Sequence, residues 1–159
     1  AEMLLLAGAA KDAAGARAKL ENAITSGAAL AKFREIVVAQ GGDGRVCDDP
    51  VAVLPRAPAN VEVRAGRAGF VREVDAMAVA LAALRLGAGR IRAEDTVDPA
   101  VGFTRLAKVG ERVAAGAVIG VVHASDAARA EEARAALEAA VKLGDEAPRP
   151  APLIVERVG

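Results

Sequence analysis

Apolar positions fall at helical spacing through the first quarter of the chain and then give way to short strand-like runs. The opening AEMLLLAG places the run Met3–Leu6 directly behind Ala1 and Glu2, and Gly8 reads as a helix C-cap. A helix that stops so soon after the chain begins, without an initiating Met, reads as cut from a longer protein. Asp12 can cap a helix to about Ser26, with Ala16, Leu20, Ala23 and Ile24 on its apolar face. Gly27 breaks the pattern. A second helix is expected from Ala28 to Gln40, with Leu30, Phe33, Ile36 and Val37 on one side, ended by Gly41 and Gly42. The simplest arrangement of the two is a packed pair.

Residues 41–60 read as loop. Asp49-Pro50 is a turn or helix-start signal, and Pro55 and Pro58 keep the chain extended. Beyond this boundary Val61, Val63 and the run Gly69–Val74 read as strands of a hairpin with Gly66 near its turn. Asp75 caps a helix to about Leu86 that is expected to bury Met77, Ala80, Leu81 and Leu84, with Gly87-Ala88-Gly89 as its stop. Residues 90–101 are turn-rich, and Gly102–Leu106 is a short strand. The stretch AKVGERVAAGAVIGVVHA, residues 107–124, reads as a hairpin in which Gly110 and Gly116 set the pairing around Val113 and Val118. A last helix is expected from Ser125 or Asp126 to Lys142. Its stripe is Ala130, Ala133, Leu137 and Ala140 or Val141, and Glu138 and Lys142 form an i,i+4 pair. Pro148, Pro150 and Pro152 lead to a closing strand at 153–157. Strand, helix and strand in this order give an α+β class.

Composition narrows the function. A chain of 159 residues with 53% hydrophobic content can bury one substantial core. Twenty-one basic and 21 acidic residues balance, which argues against attraction to nucleic acid or an anionic membrane. Aromatics are 2%, all Phe, so base-stacking platforms are scarce. Cys47 is alone, which rules out an internal disulfide and fits a reducing, cytoplasmic setting. No apolar run reaches the roughly 18 residues of a membrane helix, and no signal peptide is visible.

Candidate chemistry is sparse. His123 ends the run Val118–Val122 and has no ligand-type neighbours in sequence, so it reads as structural rather than as an acid, base or metal ligand. Cys47 sits beside Asp48 and Asp49, which argues against a nucleophile. Glu94, Asp95 and Asp98 could meet a hard cation, but they lack calcium-loop spacing, and Thr96 and Asp98 can instead hold a turn through side-chain to backbone bonds. Gly87 and Gly89 follow a helix and lack a third glycine, so they are no dinucleotide fingerprint. Arg85, Arg90 and Arg92 read as surface dressing rather than a phosphate site. The 107–124 turn architecture resembles biotinyl and lipoyl carrier domains, yet there is no Met-Lys pair, and Lys108 precedes the expected hairpin instead of crowning it.

Five segments together resemble the pyrimidine nucleoside phosphorylase and thymidine phosphorylase family. They are AEMLLLAG (1–8), ARAKLENAITSGAALAKFREIVVAQGGD (16–43), GFVREVDAMAVALAALRLGAGR (69–90), EDTVDPAVGFTRLAKVGERVAAGAVIGVVHA (94–124) and KLGDEAPRPAPLIVERV (142–158). The resemblance is to the C-terminal third of such an enzyme. It implies residues 1–50 as a helical tail of the catalytic α/β domain, 51–60 as a linker and 61–159 as the C-terminal domain. It also implies a hammerhead-like α/β module with a small barrel-like (barrel-sandwich hybrid) sheet, and a homodimeric parent. The implied reaction is reversible phosphorolysis of thymidine or uridine to free base and pentose 1-phosphate, with phosphate as co-substrate. The family's phosphate-, base- and cation-holding residues fall upstream of the matched segments. No catalytic, cofactor or metal residue is therefore carried onto this chain, and the partner it implies is the remainder of the subunit. A non-enzymatic interaction domain with the same fold is the alternative, and a carrier domain a more distant one.

Overall fold

The computed structural model describes residues 1–149 and 152–156. The chain divides into two compact units at Leu54/Pro55.

The first unit is helical. α1 spans Glu2–Leu6, α2 Ala13–Thr25, α3 Ala28–Ala39 and the short α4 Pro50–Val53, with a 3-10 turn at Gly44–Cys47. The starts follow side-chain caps: Asp12 accepts from the Gly15 amide at 2.7 Å, and Asp49 accepts from the Ala52 amide at 3.0 Å with Pro50 at the first helical position. Gly8, at φ 65°, carries the chain out of α1, and Gly41, at φ 80°, carries it out of α3. The expected helix pair is present, but its apolar faces are not covered. Ala16 is the one buried residue of the unit, whereas Ile24 is 71% and Phe33 53% exposed.

The second unit is α+β. β1 spans Ala59–Arg64, β2 Gly69–Val74, α5 Ala76–Ala83, β3 Gly102–Thr104, β4 Arg112–Val113, β5 Val118–Ala124, α6 Ala127–Ala140 and β6 Val141–Gly144. α5 runs on into a π-helical turn at Leu84–Ala88, closed by Gly87 at φ 106°. The strands form two antiparallel three-stranded sheets, ordered β1-β5-β3 and β4-β2-β6. Neither closes into a barrel, so the barrel-like sheet expected from the resemblance becomes two separate sheets.

Both expected hairpins are corrected by this topology. β1 pairs with β5 and β2 with β4 and β6, so the Gly66 turn carries the chain from one sheet to the other. β4 and β5 also lie in different sheets. Gly110 (φ 95°) and Gly116 (φ 79°) do occupy left-handed positions, but each turn docks elsewhere. The Gly110 amide donates to the Val71 carbonyl at 2.8 Å, and the Gly116 amide to the Ala65 carbonyl at 2.7 Å. Strand patterns read locally favour the next strand as partner; here ladders between distant segments prevail.

Three further expectations change. α6 stops at Ala140, because Val141–Gly144 pairs with β2 and the Asp75 amide donates to the Ala140 carbonyl at 2.9 Å. Glu138 therefore pairs with Arg134 within the helix, and Lys142 donates to the Ala139 carbonyl. α5 buries Ala82, and Leu86 is buried in the turn beyond it, while Met77 is 68% and Leu81 44% exposed. The segment AMAVALAALRL is apolar all round, so periodicity could not select its inner face. Residues 153–156 form no strand, and Arg157 lies outside the described residues.

The core of this unit is built from small side chains. α6 turns Ala130, Ala133, Leu137 and Ala140 inward, and β5 contributes Ile119, Val122 and Ala124. Small residues on α6 let the helix lie close to the sheet.

Candidate functional site

On β5, Gly120 points at Leu137 of α6, so Val122 and Ala124 share that inner face and His123 takes the other. β1 and β3 flank β5, placing Asn60 directly beside His123 on one side and Thr104 two pairs along, on the same face, on the other. His123 Nδ1 lies 2.5 Å from Asn60 Oδ1, and its Nε2 lies 2.8 Å from Thr104 Oγ1. The Asn60 amide nitrogen donates to the Ala57 carbonyl at 3.2 Å, which turns Oδ1 toward the ring. An acceptor at that position puts the proton on Nδ1. Nε2 then accepts from the Thr104 hydroxyl, an assignment made by the network.

Hydroxyl, imidazole and amide in this order match the parts of a nucleophile relay. Their setting differs from one. Thr104 is exposed and its strand is paired with β5. The three groups lie across a regular sheet, one on each strand, and tie β1, β5 and β3 together. Glu62 lies along β1 with its carboxylate paired to Arg64 and 3.8 Å from Arg105. His123 thus joins β5 to both neighbouring strands through its ring. Its partners were not legible, because they lie 63 and 19 residues away.

The other singled-out residues stay apart from this cluster. Asp95 accepts from the amides of Ile91 and Arg92, and Asp98 accepts from the amide of Ala100. Both acids hold turns, the role expected from sequence for Asp98. Among the described residues no three His, Cys, Asp or Glu side chains gather where a metal could bind. Cys47 is a half-buried free thiol in the 3-10 turn. Lys108 is exposed ahead of Gly110. Arg85 lines a cleft with Arg129, Glu132 and the α5–α6 alanines, of about 50 Å³. A nucleoside needs several times that space, since ligand pockets run to about 300 Å³ and more.

Several shifted ionisations lie on surface ion pairs. A hydrogen bond from Arg34 holds the Asp48 carboxyl below its ordinary range, through contacts of 2.8 and 2.5 Å. Arg45 does the same to Asp43. Both pairs brace the segment after α3.

Residues 70–144 match the family model of the pyrimidine nucleoside phosphorylase C-terminal domain. The chain is 43% identical over 159 residues to a thymidine phosphorylase of Burkholderia orbicola (strain MC0-3), covering 100% of this chain and 36% of the relative. It is 44% identical over 158 residues to a thymidine phosphorylase of Burkholderia cenocepacia (strain HI2424), covering 99% of this chain and 36% of the relative. The chain belongs to the pyrimidine nucleoside phosphorylase family. It is similar to the C-terminal portion of these relatives and spans about a third of their length. The family match falls inside the second unit, from β2 to β6, and includes both His123 and the α6 core. Among the described residues no helix is long and apolar enough to cross a membrane.

Proposed function

We propose that this chain is the C-terminal part of a cytoplasmic, homodimeric phosphorylase subunit that cleaves thymidine or uridine with inorganic phosphate. It supplies support to that reaction rather than reacting groups. The observation that carries this reading is the identity of 43% across the whole chain with a thymidine phosphorylase of which the chain covers 36%. Residues 1–50 are read as the tail of the catalytic α/β domain, 51–60 as a linker and 61–159 as the C-terminal domain.

In such a reaction phosphate attacks the anomeric carbon while the base departs with the bonding electrons. Catalysis needs convergent donors to orient phosphate and stabilise charge on the leaving base. Several polar groups of this chain are instead engaged with one another: His123 with Asn60 and Thr104, Glu62 with Arg64, and Arg34 with Asp48. The groups that hold phosphate and base are assigned to the rest of the subunit.

The test is a base-release assay on this chain with thymidine or uridine and phosphate. No base should be released. Turnover at about 1 per second or faster, an ordinary enzymatic rate, would place reacting groups on this chain and overturn the reading.

A further inference from the structure

We propose that the cleft between α5 and α6 binds inorganic phosphate, with Arg85 and Arg129 as its donors and Glu132 as the group that selects it. The site lies wholly within the second unit, and its chemistry is independent of the reaction proposed above.

Leu86, Ala133 and Ala136 supply the apolar lining of the cleft, and Arg85, Arg129 and Glu132 its charged groups. Small side chains on α6 leave a space of about 50 Å³. One water needs about 10–15 Å³ of such room, so the cleft suits a group of the bulk of about four waters, a tetrahedral oxyanion. Arg85 belongs to the π-helical turn Leu84–Ala88, which runs on from α5. Such turns recur at functional sites. Sequence groups Arg85 with Arg90 and Arg92, but the fold brings it to Arg129, on a different helix. Arg85 makes no hydrogen bond or ion pair among the described residues. Arg129 meets Asp126 through Nε alone, at 3.5 Å, which leaves its terminal nitrogens for a ligand. Elsewhere in the unit Arg64, Arg67 and Arg134 are already tied to carboxylates.

Two guanidinium groups against one carboxylate leave the cleft with an excess of positive charge, so its ligand is an anion. Planar, fork-shaped donors match the oxygens of a tetrahedral oxyanion. Glu132 decides which one. It is ion-paired with neither arginine among the described residues. An ionised carboxylate accepts hydrogen bonds and donates none, so it repels an anion that has no proton to offer. Inorganic phosphate keeps a P–OH at neutral pH. That hydroxyl donates to Glu132 while the remaining oxygens accept from Arg85 and Arg129. Sulfate has no such proton, and a phosphomonoester in its dianionic form has none either. Glu131, the neighbouring acid on α6, is held by Arg134 and takes no part.

The experiment titrates this chain with sodium phosphate at neutral pH and constant ionic strength, with chloride as the balancing anion. The guanidinium Nε–H signals of Arg85, Arg129 and Arg134 are followed by NMR. Arg85 and Arg129 should move along one saturating curve in the millimolar range while Arg134 stays in place. Sulfate, titrated in the same way, should bind at least about fivefold more weakly, because Glu132 opposes it. Arg85→Lys keeps the charge but loses the fork, so phosphate affinity read at Arg129 should fall by about fivefold or more. Glu132→Gln can donate as well as accept, and should bring sulfate within about twofold of phosphate. Thermal melts of each variant confirm that it is folded. Shifts that never saturate, or that Arg134 shares, would reduce the effect to general screening and overturn the proposal. Equal affinity for phosphate and sulfate in the unaltered chain would also overturn it, leaving an unselective cationic patch. A preference for phosphate that survives Glu132→Gln unchanged would overturn the role given to Glu132. None of these readouts depends on phosphorolysis, so the site and the functional reading stand or fall separately.

Discussion

Leu137 of α6 occupies the space where a side chain on Gly120 of β5 would begin: a Cβ built on Gly120 would lie 2.5 Å from Leu137 Cδ2. Gly120 is needed for room, not for backbone freedom, since it is not among the positive-φ glycines. Gly120→Ala should destabilise the second unit by about 1–3 kcal/mol through overpacking. Leu137→Ala, at a fully buried position, should cost about 2–5 kcal/mol. In the double variant the added methyl meets the space that Leu137 vacated, so the combined cost should fall short of the sum. Denaturant melts of the four proteins measure this, and strict additivity would refute the contact.

Gly116 makes the opposite case. It has φ 79° and no heavy atom within 4 Å of its virtual Cβ. Gly116→Val should therefore cost about 1–3 kcal/mol through backbone strain alone. Gly66, with equally open space and no positive φ, should accept a side chain with little change. A thermal midpoint lowered equally at both positions would show that strain at Gly116 is not the cause.

His123 bridges three strands through exposed partners. Replacing it with Ala lets water satisfy Asn60 and Thr104, so the loss should be modest, about 0.5–1.5 kcal/mol. In a chimera in which this chain replaces the matching C-terminal portion of the Burkholderia orbicola thymidine phosphorylase, His123→Gln should leave both limbs of the pH–rate profile in place. A lost limb in a folded variant would put the imidazole into the reaction.

Asp126 caps α6 by accepting from the Arg129 amide at 2.8 Å. That backbone bond is the main cause holding its carboxyl below the ordinary value of 3.8, with the Ser125 hydroxyl and Arg129 charge adding to it. A depressed carboxyl stabilises the fold fully above the unfolded value and loses that contribution as pH falls through the folded one. Asp126→Asn, which can still cap, should therefore flatten the stability profile below about pH 4 while changing it little at neutrality. Stability curves of the two proteins from pH 2 to 7 check the sign; an unchanged acid slope would contradict it.

The helix starts were legible because caps are local: Asp12, Asp49, Asp75 and Asp126 each sit directly before their helix and bond its first turn. Strand identities were also largely legible, as at Gly69–Val74 and Val118–Ala124. Pairing was not. The partner of Val122 is Val61 on one side and Phe103 on the other, choices made by packing across the whole unit. The end of α6 was misread for the same reason: Val141 suits the helix stripe, and only the ladder with β2 makes it a strand. His123 was legible as a position but not as a bridge, since Asn60 and Thr104 carry no local mark of their shared role.

The measurement that bears most directly on the whole account is the rate of thymidine phosphorolysis by the chimera. The Burkholderia orbicola portion would supply the reacting groups and this chain the supporting third. The account predicts base release within about tenfold of the intact relative's kcat, together with none from this chain alone. A folded chimera that binds phosphate and thymidine but releases no base, while the intact relative does so under the same conditions, would contradict it.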